Sequence, residues 1–313
     1  MRVLVTGAAG FTGTQMIKFL SLQEGVTVSG LLRKTPPAAI FGNPKASFLV
    51  ADVLDPTTLF TTVAGFRPDA IIHLAGLTRG TLDGLLLANV VGTKNILEAG
   101  YAANPDCRTL VVSSSSVYGY LGTRTITEST PLQPLSEYGI SKMAQDALAL
   151  MYAKISDYRV CIARPFNLAG PGQSDSFVCS RIVKQITEIE QERRPALELL
   201  ETTSSRDLID VRDVVRGYWA LVTHPEFSHD CAGKAFNLGS GNAYRISKII
   251  SLIEEVTGRQ YEVKVAANRD QVPIPYQQSD NSRITKLTGW KPEIPLIDTL
   301  RDMLTASQGN SVE

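Results

Sequence analysis

The sequence predicts an α/β fold, a doubly wound parallel sheet of the Rossmann type, with a smaller C-terminal substrate-binding lobe. Short apolar runs alternate with longer helical patterns over residues 3–163, and a glycine-rich loop follows the first apolar run. A second loop rich in glycine and proline, at residues 170–173, then changes this rhythm. Such alternation is typical of βαβ units, whose strands lie parallel and whose crossovers are right-handed.

The periodicity of apolar residues gives the position of each element. Strands are expected at residues 3–6, 26–32, 47–50, 70–73, 109–113 and 159–163. Helices are expected at residues 11–22, 55–64, 82–103, 137–156, 177–192 and 296–305. We assign residues 1–166, rejoined by about 206–244, to the large domain, and residues 167–205 and 245–313 to the smaller lobe.

The composition is that of an ordinary globular chain. Its 313 residues are 43% hydrophobic and 20% charged, with 31 Lys plus Arg against 31 Asp plus Glu. This balance gives no general attraction to nucleic acid or to a membrane, and neither is an expected partner. Four cysteines without C-x-x-C spacing and three histidines form no local metal motif, so no metal is expected. The chain shows no targeting or membrane-spanning stretch, and we expect a cytoplasmic location.

A glycine-rich loop stands between the first predicted strand and the first predicted helix. Residues 6–13 read TGAAGFTG, with G-x-x-G-x-x-G spacing. Only glycine lets the backbone approach a pyrophosphate closely at a helix N-terminus. The loop therefore predicts a dinucleotide site and makes this domain the cofactor-binding one, with contacts expected from Gly7, Gly10, Phe11, Thr12 and Gly13.

The end of the second predicted strand indicates which cofactor is bound. Arg33 and Lys34 stand there without an Asp or Glu to bind a free ribose 2′-hydroxyl, and two cations suit a 2′-phosphate. NADP(H) is expected, and NAD(H) remains the alternative. Ligands of open parallel sheets bind beyond the carboxyl ends of the strands. We therefore expect further cofactor contacts after the third and fourth strands, from Asp52, Val53, Leu74, Ala75 and Gly76.

Three side chains suggest acid–base chemistry in the same crevice. Tyr138 and Lys142 are four residues apart on a predicted helix, so both project from one face, and a nearby ammonium lowers a phenol pKa. The fifth predicted strand ends in four consecutive serines, residues 113–116, which would release hydroxyls at the same edge of the sheet.

The glycine loop, the serines and the Y-x-x-x-K pair, in this order, resemble the extended short-chain dehydrogenase/reductase family over essentially the whole chain. The resemblance implies that Tyr138 is the acid/base, that Lys142 binds the nicotinamide ribose, and that a serine hydrogen-bonds the reacting oxygen. Ser114 matches this serine best and Ser115 second, so both remain candidates for the role. The family also implies a nicotinamide contact from Pro165.

Segments in the second half resemble the branch of this family that acts on nucleotide-linked sugars. These are residues 163–167 (ARPFN), 205–213 (SRDLIDVRD) and 268–270 (NRD). The stretch from 164 to 178 looks most like that of the GDP-4-keto-6-deoxy-D-mannose reductases. The resemblance implies a nucleoside-diphosphate sugar as partner, with substrate contacts from Ser115, Asn167, Ser176, Phe177, Val178, Arg206 and Arg269.

The expected reaction is the NADPH-dependent reduction of the C4 ketone of a nucleotide-linked 4-keto-6-deoxyhexose. Similar 4,6-dehydratases place an Asp-Glu pair after the catalytic hydroxyl to eliminate water, whereas Ser115 and Ser116 stand at those positions here. Two alternatives remain: an NAD-dependent 4-epimerase and a non-catalytic NADP-binding regulatory protein. The intact Ser114, Tyr138 and Lys142 set argues against the second.

Two predicted helices, 82–103 and 137–151, carry apolar residues on more than one face. One stripe would pack on the sheet, and a second must be covered elsewhere. We expect a homodimer through a two-fold, four-helix interface, with cover by the chain's own loops as the alternative.

Overall fold

A computed structural model describes residues 1–34, 45–155, 157–265 and 274–309. Its strands are β1 (Arg2–Thr6), β2 (Thr27–Leu32), β3 (Ala46–Val50), β4 (Ala70–His73), β5 (Arg108–Val112), β6 (Val160–Pro165), β7 (Asn167–Ala169), β8 (Leu197–Leu199), β9 (Ser205–Asp210), β10 (Ala235–Leu238), β11 (Ala243–Arg245) and β12 (Val263–Val265). Its helices are α1 (Phe11–Leu20), α2 (Pro56–Phe66), α3 (Leu82–Leu86), α4 (Gly92–Ala103), α5 (Glu137–Ile155), α6 (Val178–Glu190), α7 (Val211–Val222), α8 (Ile246–Thr257), α9 (Ser282–Thr288) and α10 (Leu296–Gly309).

A seven-stranded parallel sheet forms the centre of the larger domain, in the order β10-β6-β5-β4-β1-β2-β3. The strand order reverses direction between β1 and β4, which opens a crevice beyond their carboxyl ends. The predicted fold class is confirmed.

Alternating strand residues explain why both faces of this sheet are covered. On β1, Val3 and Val5 pack into the cluster that contains the buried residues of α1 and α7, whereas Leu4 packs with residues of α2 and α4 on the opposite face.

Neighbouring residues in the sequence also determine where a helix begins. Asp55 caps α2 by accepting from the amides of Thr57 at 3.1 Å and Thr58 at 3.4 Å, directly before Pro56.

The smaller lobe has its own core. A three-stranded sheet, β11-β9-β7, and a β12-β8 pair surround an apolar cluster to which α6, α8 and α10 contribute. Because β7 follows β6 after a single residue, the small sheet begins directly beside the crevice of the large one.

The segment 206–244, expected to rejoin the large domain, is divided between the two sheets. β9 pairs in parallel with β7 and antiparallel with β11, so the apolar run after Arg206 belongs to the small sheet. By contrast, α7 packs on α1, and β10 pairs with β6 at the edge of the large sheet.

No helix within the described ranges is both long enough and apolar enough to cross a lipid bilayer.

Candidate active site

The glycine loop is packed against the turn that follows β4. Gly7 has φ +65°, and a Cβ built on it would lie 2.8 Å from the Ala75 amide nitrogen. A Cβ on Gly13 would lie 2.1 Å from the Gly7 carbonyl oxygen, so only glycine fits at either position. Helix α1 begins at Phe11 with no side-chain cap, which leaves its first amides available to an anion. The loop therefore fits the pyrophosphate of a dinucleotide.

A buried histidine at the end of β4 holds this turn in place. His73 Nδ1 lies 2.7 Å from Thr6 Oγ1, which also accepts from the amides of Leu74 at 3.1 Å and Ala75 at 3.0 Å. Because that hydroxyl already accepts twice, its proton is directed to Nδ1, so His73 carries its own proton on Nε2. Burial, and secondarily the charge of Lys142, lower the pKa of His73 to about 3. The ring is neutral at physiological pH.

The same histidine is connected to the helix that carries Tyr138 and Lys142. His73 Nε2 lies 3.0 Å from Thr93 Oγ1, and this hydroxyl donates to the Asn89 carbonyl at 2.6 Å while accepting from Gln145 Nε2 at 2.6 Å. One buried hydrogen-bond chain therefore runs from β1 through β4 and α4 to α5. We call it the His73 chain, meaning the side chains of Thr6, His73, Thr93 and Gln145.

A π-helical turn, Leu87–Val91, interrupts the helix expected over 82–103. It places the buried Asn89 so that its Oδ1 accepts from the Leu77 amide at 2.8 Å and its Nδ2 donates to Ser141 Oγ at 2.9 Å. A Cβ on Gly76 would lie 2.5 Å from Asn89 Oδ1 and 4.0 Å from Lys142 Nζ. The turn after β4 therefore packs closely at Gly76, where a larger side chain would force Asn89 to shift.

The four serines after β5 lie in different environments. Ser114 Oγ accepts from the Ser116 amide at 3.2 Å, and its hydrogen bond with Tyr138 opposes the rise in the tyrosine pKa that burial causes. Ser115 is 5% exposed. Between the two candidates, the structure brings Ser114 to the tyrosine.

Tyr138 and Lys142 project from the first two turns of α5. Burial is the larger influence on Tyr138 and raises its pKa. The Lys142 ammonium donates to the Val112 carbonyl at 2.7 Å, at the end of β5. Burial lowers the pKa of Lys142 to about 8, and the charge of Asp146 opposes this.

The remaining predicted cofactor residues lie along the same edge of the sheet. Arg33 and Lys34 are exposed directly after β2. Asp52 Oδ1 accepts from the Leu54 amide at 2.9 Å, and the Val53 carbonyl accepts from Asn95 Nδ2 at 2.8 Å. Pro165 is buried at the end of β6.

Five of the predicted substrate residues belong to small-lobe segments, namely Asn167, Ser176, Phe177, Val178 and Arg206. Asn167 Nδ2 donates to Gln277 Oε1 at 2.8 Å, and Arg206 donates to the carbonyls of Ser205 and Ile274. Ser176, Phe177 and Val178 form the turn into α6, where Phe177 is exposed. Arg269 lies outside the described residues.

Comparison with known proteins decides the family. The family model for GDP-mannose 4,6-dehydratase matches residues 4–303. The chain belongs to the GDP-mannose 4,6-dehydratase family. This confirms the predicted extended short-chain dehydrogenase/reductase and the predicted class of NAD(P)-dependent oxidoreductase.

Three relatives of this GDP-mannose 4,6-dehydratase family member cover nearly all of the chain. GDP-6-deoxy-D-mannose reductase of Pseudomonas aeruginosa is 32% identical over 97% of this chain and 96% of its own length. The structure of RMD from Pseudomonas aeruginosa complexed with NADPH is 30% identical, with a TM-score of 0.85 and 99% of both chains covered. A putative epimerase from Burkholderia cenocepacia is 29% identical, with a TM-score of 0.87 and 98% of both chains covered.

Sequence reasoning missed several buried polar residues of this family member. Asp207 is fully buried, and its carboxylate accepts from the amides of Ser240 at 2.6 Å, Gly241 at 3.1 Å and Ser279 at 2.8 Å. It therefore fixes the small-lobe loops beside Arg206. The sequence did carry a signal, because Asp207, Asp210 and Asp213 recur every three residues, and all three are buried.

Two further arginines at the mouth of the crevice were also missed. Arg79, after β4, and Arg181, on α6, both donate to the Ser176 carbonyl, at 3.2 Å and 3.4 Å. The contact joins the large domain to the small lobe across the crevice.

Among the described residues, no group of three or more His, Cys, Asp or Glu side chains is placed to hold a metal ion.

Proposed function

We propose that this chain uses NADPH to reduce the C4 ketone of a nucleotide-linked 4-keto-6-deoxyhexose, with GDP-4-keto-6-deoxymannose as the substrate. The observation that carries the proposal is the grouping of Ser114, Tyr138 and Lys142 beyond the carboxyl end of β5, with serines in place of an acid–base pair for dehydration. The similarity to GDP-6-deoxy-D-mannose reductase and to a reductase structure with NADPH supports it.

The two residues after Ser114 are serines and not carboxylates, which argues against dehydration as the reaction of this chain. Ser115 is buried, and Ser116 follows it in the short 3₁₀ turn Ser115–Val117. Elimination of water needs an acid and a base at the sugar, and an aliphatic hydroxyl supplies neither near neutral pH. Membership of a family named for a dehydratase is therefore compatible with a reductase.

Each of the three site residues has a distinct role in the proposed reaction. Bound NADPH would supply the hydride that adds to the C4 carbon. Tyr138 then gives its phenolic proton to the O4 oxygen and is reprotonated from solvent, while Ser114 donates a hydrogen bond to the same oxygen. Because burial raises the Tyr138 pKa, the residue stays in the phenol form that a proton donor needs. Lys142 holds the nicotinamide ribose through its ammonium.

The nucleotide half of the substrate is assigned to the small lobe. Arg206 is half-buried, and burial lowers its pKa, while the charge of Glu201 opposes this. A guanidinium in such a position binds most strongly to an anion that accepts two of its hydrogen bonds, such as a diphosphate. Arg269 remains our proposal for the second contact.

Exposed cations at the end of β2 should select the phosphorylated cofactor. We expect NADPH to bind at least about tenfold more tightly than NADH, and Arg33→Asp to reverse the preference, because a carboxylate repels the 2′-phosphate and accepts from a free 2′-hydroxyl. Titration of both cofactors against each protein measures this. Lys18→Asp, an exposed charge reversal in the last turn of α1, is the control. Equal affinities in the unaltered protein would contradict the assignment.

The reaction is tested with purified protein, NADPH and GDP-4-keto-6-deoxymannose, and in parallel with the dTDP-linked ketone. Stoichiometric loss of reduced-nicotinamide absorbance with a 6-deoxyhexose product supports the proposal. Tyr138→Phe gives the background rate. Parallel reactions contain GDP-mannose or UDP-glucose without added cofactor, and their conversion would overturn the proposal.

A 4-epimerase is the second candidate, because a putative epimerase shares the fold over almost the whole chain. An epimerase must retain its cofactor and take its hydride back, so it produces no net NADPH oxidation. The same assay therefore separates the two functions. A non-catalytic regulatory protein would turn over none of these sugars.

We also propose that the chain forms a homodimer through α3, α4 and α5. These helices pack beside one another, and together with the π-helical turn Leu87–Val91 between α3 and α4 they leave apolar side chains exposed, namely Leu87, Val91, Ile140 and Met151. We expect Met151→Lys combined with Leu87→Lys to give monomers in sedimentation velocity, since a buried unpaired ammonium opposes association. Leu22→Lys changes an exposed leucine elsewhere and is the control. A monomeric unaltered protein would refute the dimer.

A further inference from the structure

Helix α5 carries a third ionisable residue in line with the catalytic pair. Tyr138, Lys142 and Asp146 are spaced four residues apart, so successive side chains lie on one face of the helix. The Asp146 side chain is 1% exposed. A carboxylate this deeply buried is costly unless another group compensates its charge.

The compensating group is Arg164, on the neighbouring strand β6. Its Nε donates to Asp146 Oδ2 at 2.8 Å, and its Nη1 donates to the Tyr118 hydroxyl at 2.9 Å. Tyr118 in turn donates to Asn237 Oδ1 at 2.7 Å. Asp146 is therefore fixed by a buried network that reaches β10, and it cannot turn away from the face it shares with Lys142.

Four ionisable groups face or adjoin Lys142. Tyr138 and Asp146 come from its own helix, His73 comes from β4, and Arg164 lies behind Asp146 on β6. His73 is neutral and Tyr138 is a phenol, so Asp146 is the one possible negative charge of the four. Burial raises the pKa of Asp146, and the charge of Arg164 opposes that rise. Burial lowers the pKa of Lys142 to about 8, and Asp146 opposes that decrease. The charge of Asp146 therefore acts on Lys142 from the next turn of the same helix.

We propose that Asp146, held by Arg164, is a positioning residue that keeps Lys142 in its ammonium form and fixed at the carboxyl end of β5. The proposal rests on the proposed function, since it assigns Lys142 to the nicotinamide ribose. It means that Tyr138 and Lys142 alone are not sufficient, because Lys142 also requires the carboxylate of Asp146. A lysine at this depth needs a buried counter-charge to donate hydrogen bonds at neutral pH.

The test is the pH dependence of NADPH affinity, measured by nicotinamide fluorescence between pH 7 and 10. Removing the carboxylate alone would leave Arg164 as an unpaired buried cation, so the main variant is the double substitution Asp146→Asn with Arg164→Gln, which neutralises both partners. Tyr118→Phe is the matched control. It breaks the same buried network on the other side of Arg164 but leaves the Asp146 charge in place.

We expect the affinity of the unaltered protein to fall as Lys142 loses its proton, and the double variant to lose affinity about one pH unit lower. At pH 8 that shift corresponds to about fivefold weaker binding. The Tyr118→Phe curve should follow the unaltered protein. Circular dichroism spectra and urea unfolding show that each variant is folded at the pH of the assay.

Two results would overturn the proposal. One is the same alkaline midpoint in the double variant and the unaltered protein. The other is an equal displacement in Tyr118→Phe, which would assign the effect to packing. Turnover of the keto sugar is measured separately. If NADPH binding shifts as expected but no keto sugar is reduced by any form of the protein, the positioning role stands and the proposed reaction fails.

Discussion

Tyr138→Phe is expected to lower kcat for keto-sugar reduction by about 100-fold or more and to leave NADPH affinity nearly unchanged. The phenyl ring keeps the packing of the first turn of α5, but it has no proton to give to the O4 oxygen. Lys142→Met should reduce both kcat and NADPH affinity, because the ammonium is assigned to the cofactor. Steady-state kinetics and NADPH titration of each variant measure the two effects.

The control for Tyr138→Phe lies on the same helix. Tyr152 donates to Glu98 Oε1 at 2.6 Å, so Tyr152→Phe removes an equivalent hydroxyl outside the crevice. Its kcat should be close to that of the unaltered protein. Ser114→Ala compared with Ser115→Ala identifies the serine that holds the reacting oxygen, and we expect the larger loss at Ser114. Near-normal turnover by Tyr138→Phe would remove the tyrosine from the mechanism.

His73 should make stability strongly dependent on pH in the acid range. Its pKa is about 3 in the folded protein against 6.5 for the ordinary group. Between these two pH values His73 is protonated in the unfolded chain but neutral in the folded protein. The free energy of unfolding therefore falls as the pH decreases from 6.5 to about 3. The expected loss from this residue approaches about 1.4 kcal/mol per pH unit below pH 6 and sums to roughly 2 kcal/mol between pH 6.5 and 4.5.

Urea unfolding at several pH values measures this effect. His73→Gln should be less stable than the unaltered protein at pH 7.5, because the hydrogen bonds to Thr6 and Thr93 are disturbed, but its stability should decline less steeply toward pH 4.5. His229→Gln changes a histidine whose side chain is 87% exposed and is the control. Parallel stability curves for His73→Gln and the unaltered protein would mean that His73 is protonated in the folded state.

The parts of the fold that the sequence predicts are those encoded locally. Strands β1 to β6 are short apolar runs, and Gly7 and Gly13 have no substitute where backbone atoms come this close. Tyr138 and Lys142 lie one helical turn apart, so their common face follows from helix geometry alone. Each of these features needs only a few consecutive residues to be recognised.

What the sequence could not provide depends on contacts between distant segments. Thr6 and His73 are 67 residues apart, and Thr93 and Gln145 are 52 residues apart, so the His73 chain exists only after the sheet and its helices have assembled. The apolar run of β9 indicates a strand but not which sheet it joins. The π-helical turn around Asn89 is likewise invisible, because its residues have an ordinary helical pattern and only tertiary contacts favour the extra residue.

Asp146 could be predicted from the sequence only in part. Its spacing from Lys142 was available in the sequence, yet an aspartate at that position on a helix is usually a solvated residue. An aspartate that acts on Lys142 differs from a solvated one in being buried. The burial of Asp146 depends on its ion pair with Arg164, eighteen residues further along the chain.

The edge strand of the large sheet has a consequence for how the chain folds during synthesis. β10 pairs with β6 but is separated from it in sequence by β7, α6, β8, β9 and α7. Until residues 235–238 have left the ribosome, the backbone groups along one side of β6 have no strand to pair with. We therefore expect the large sheet to be completed only after part of the small lobe has been synthesised. During the translation of residues 166–238, we expect the open edge of β6 to make the nascent chain more prone to aggregate.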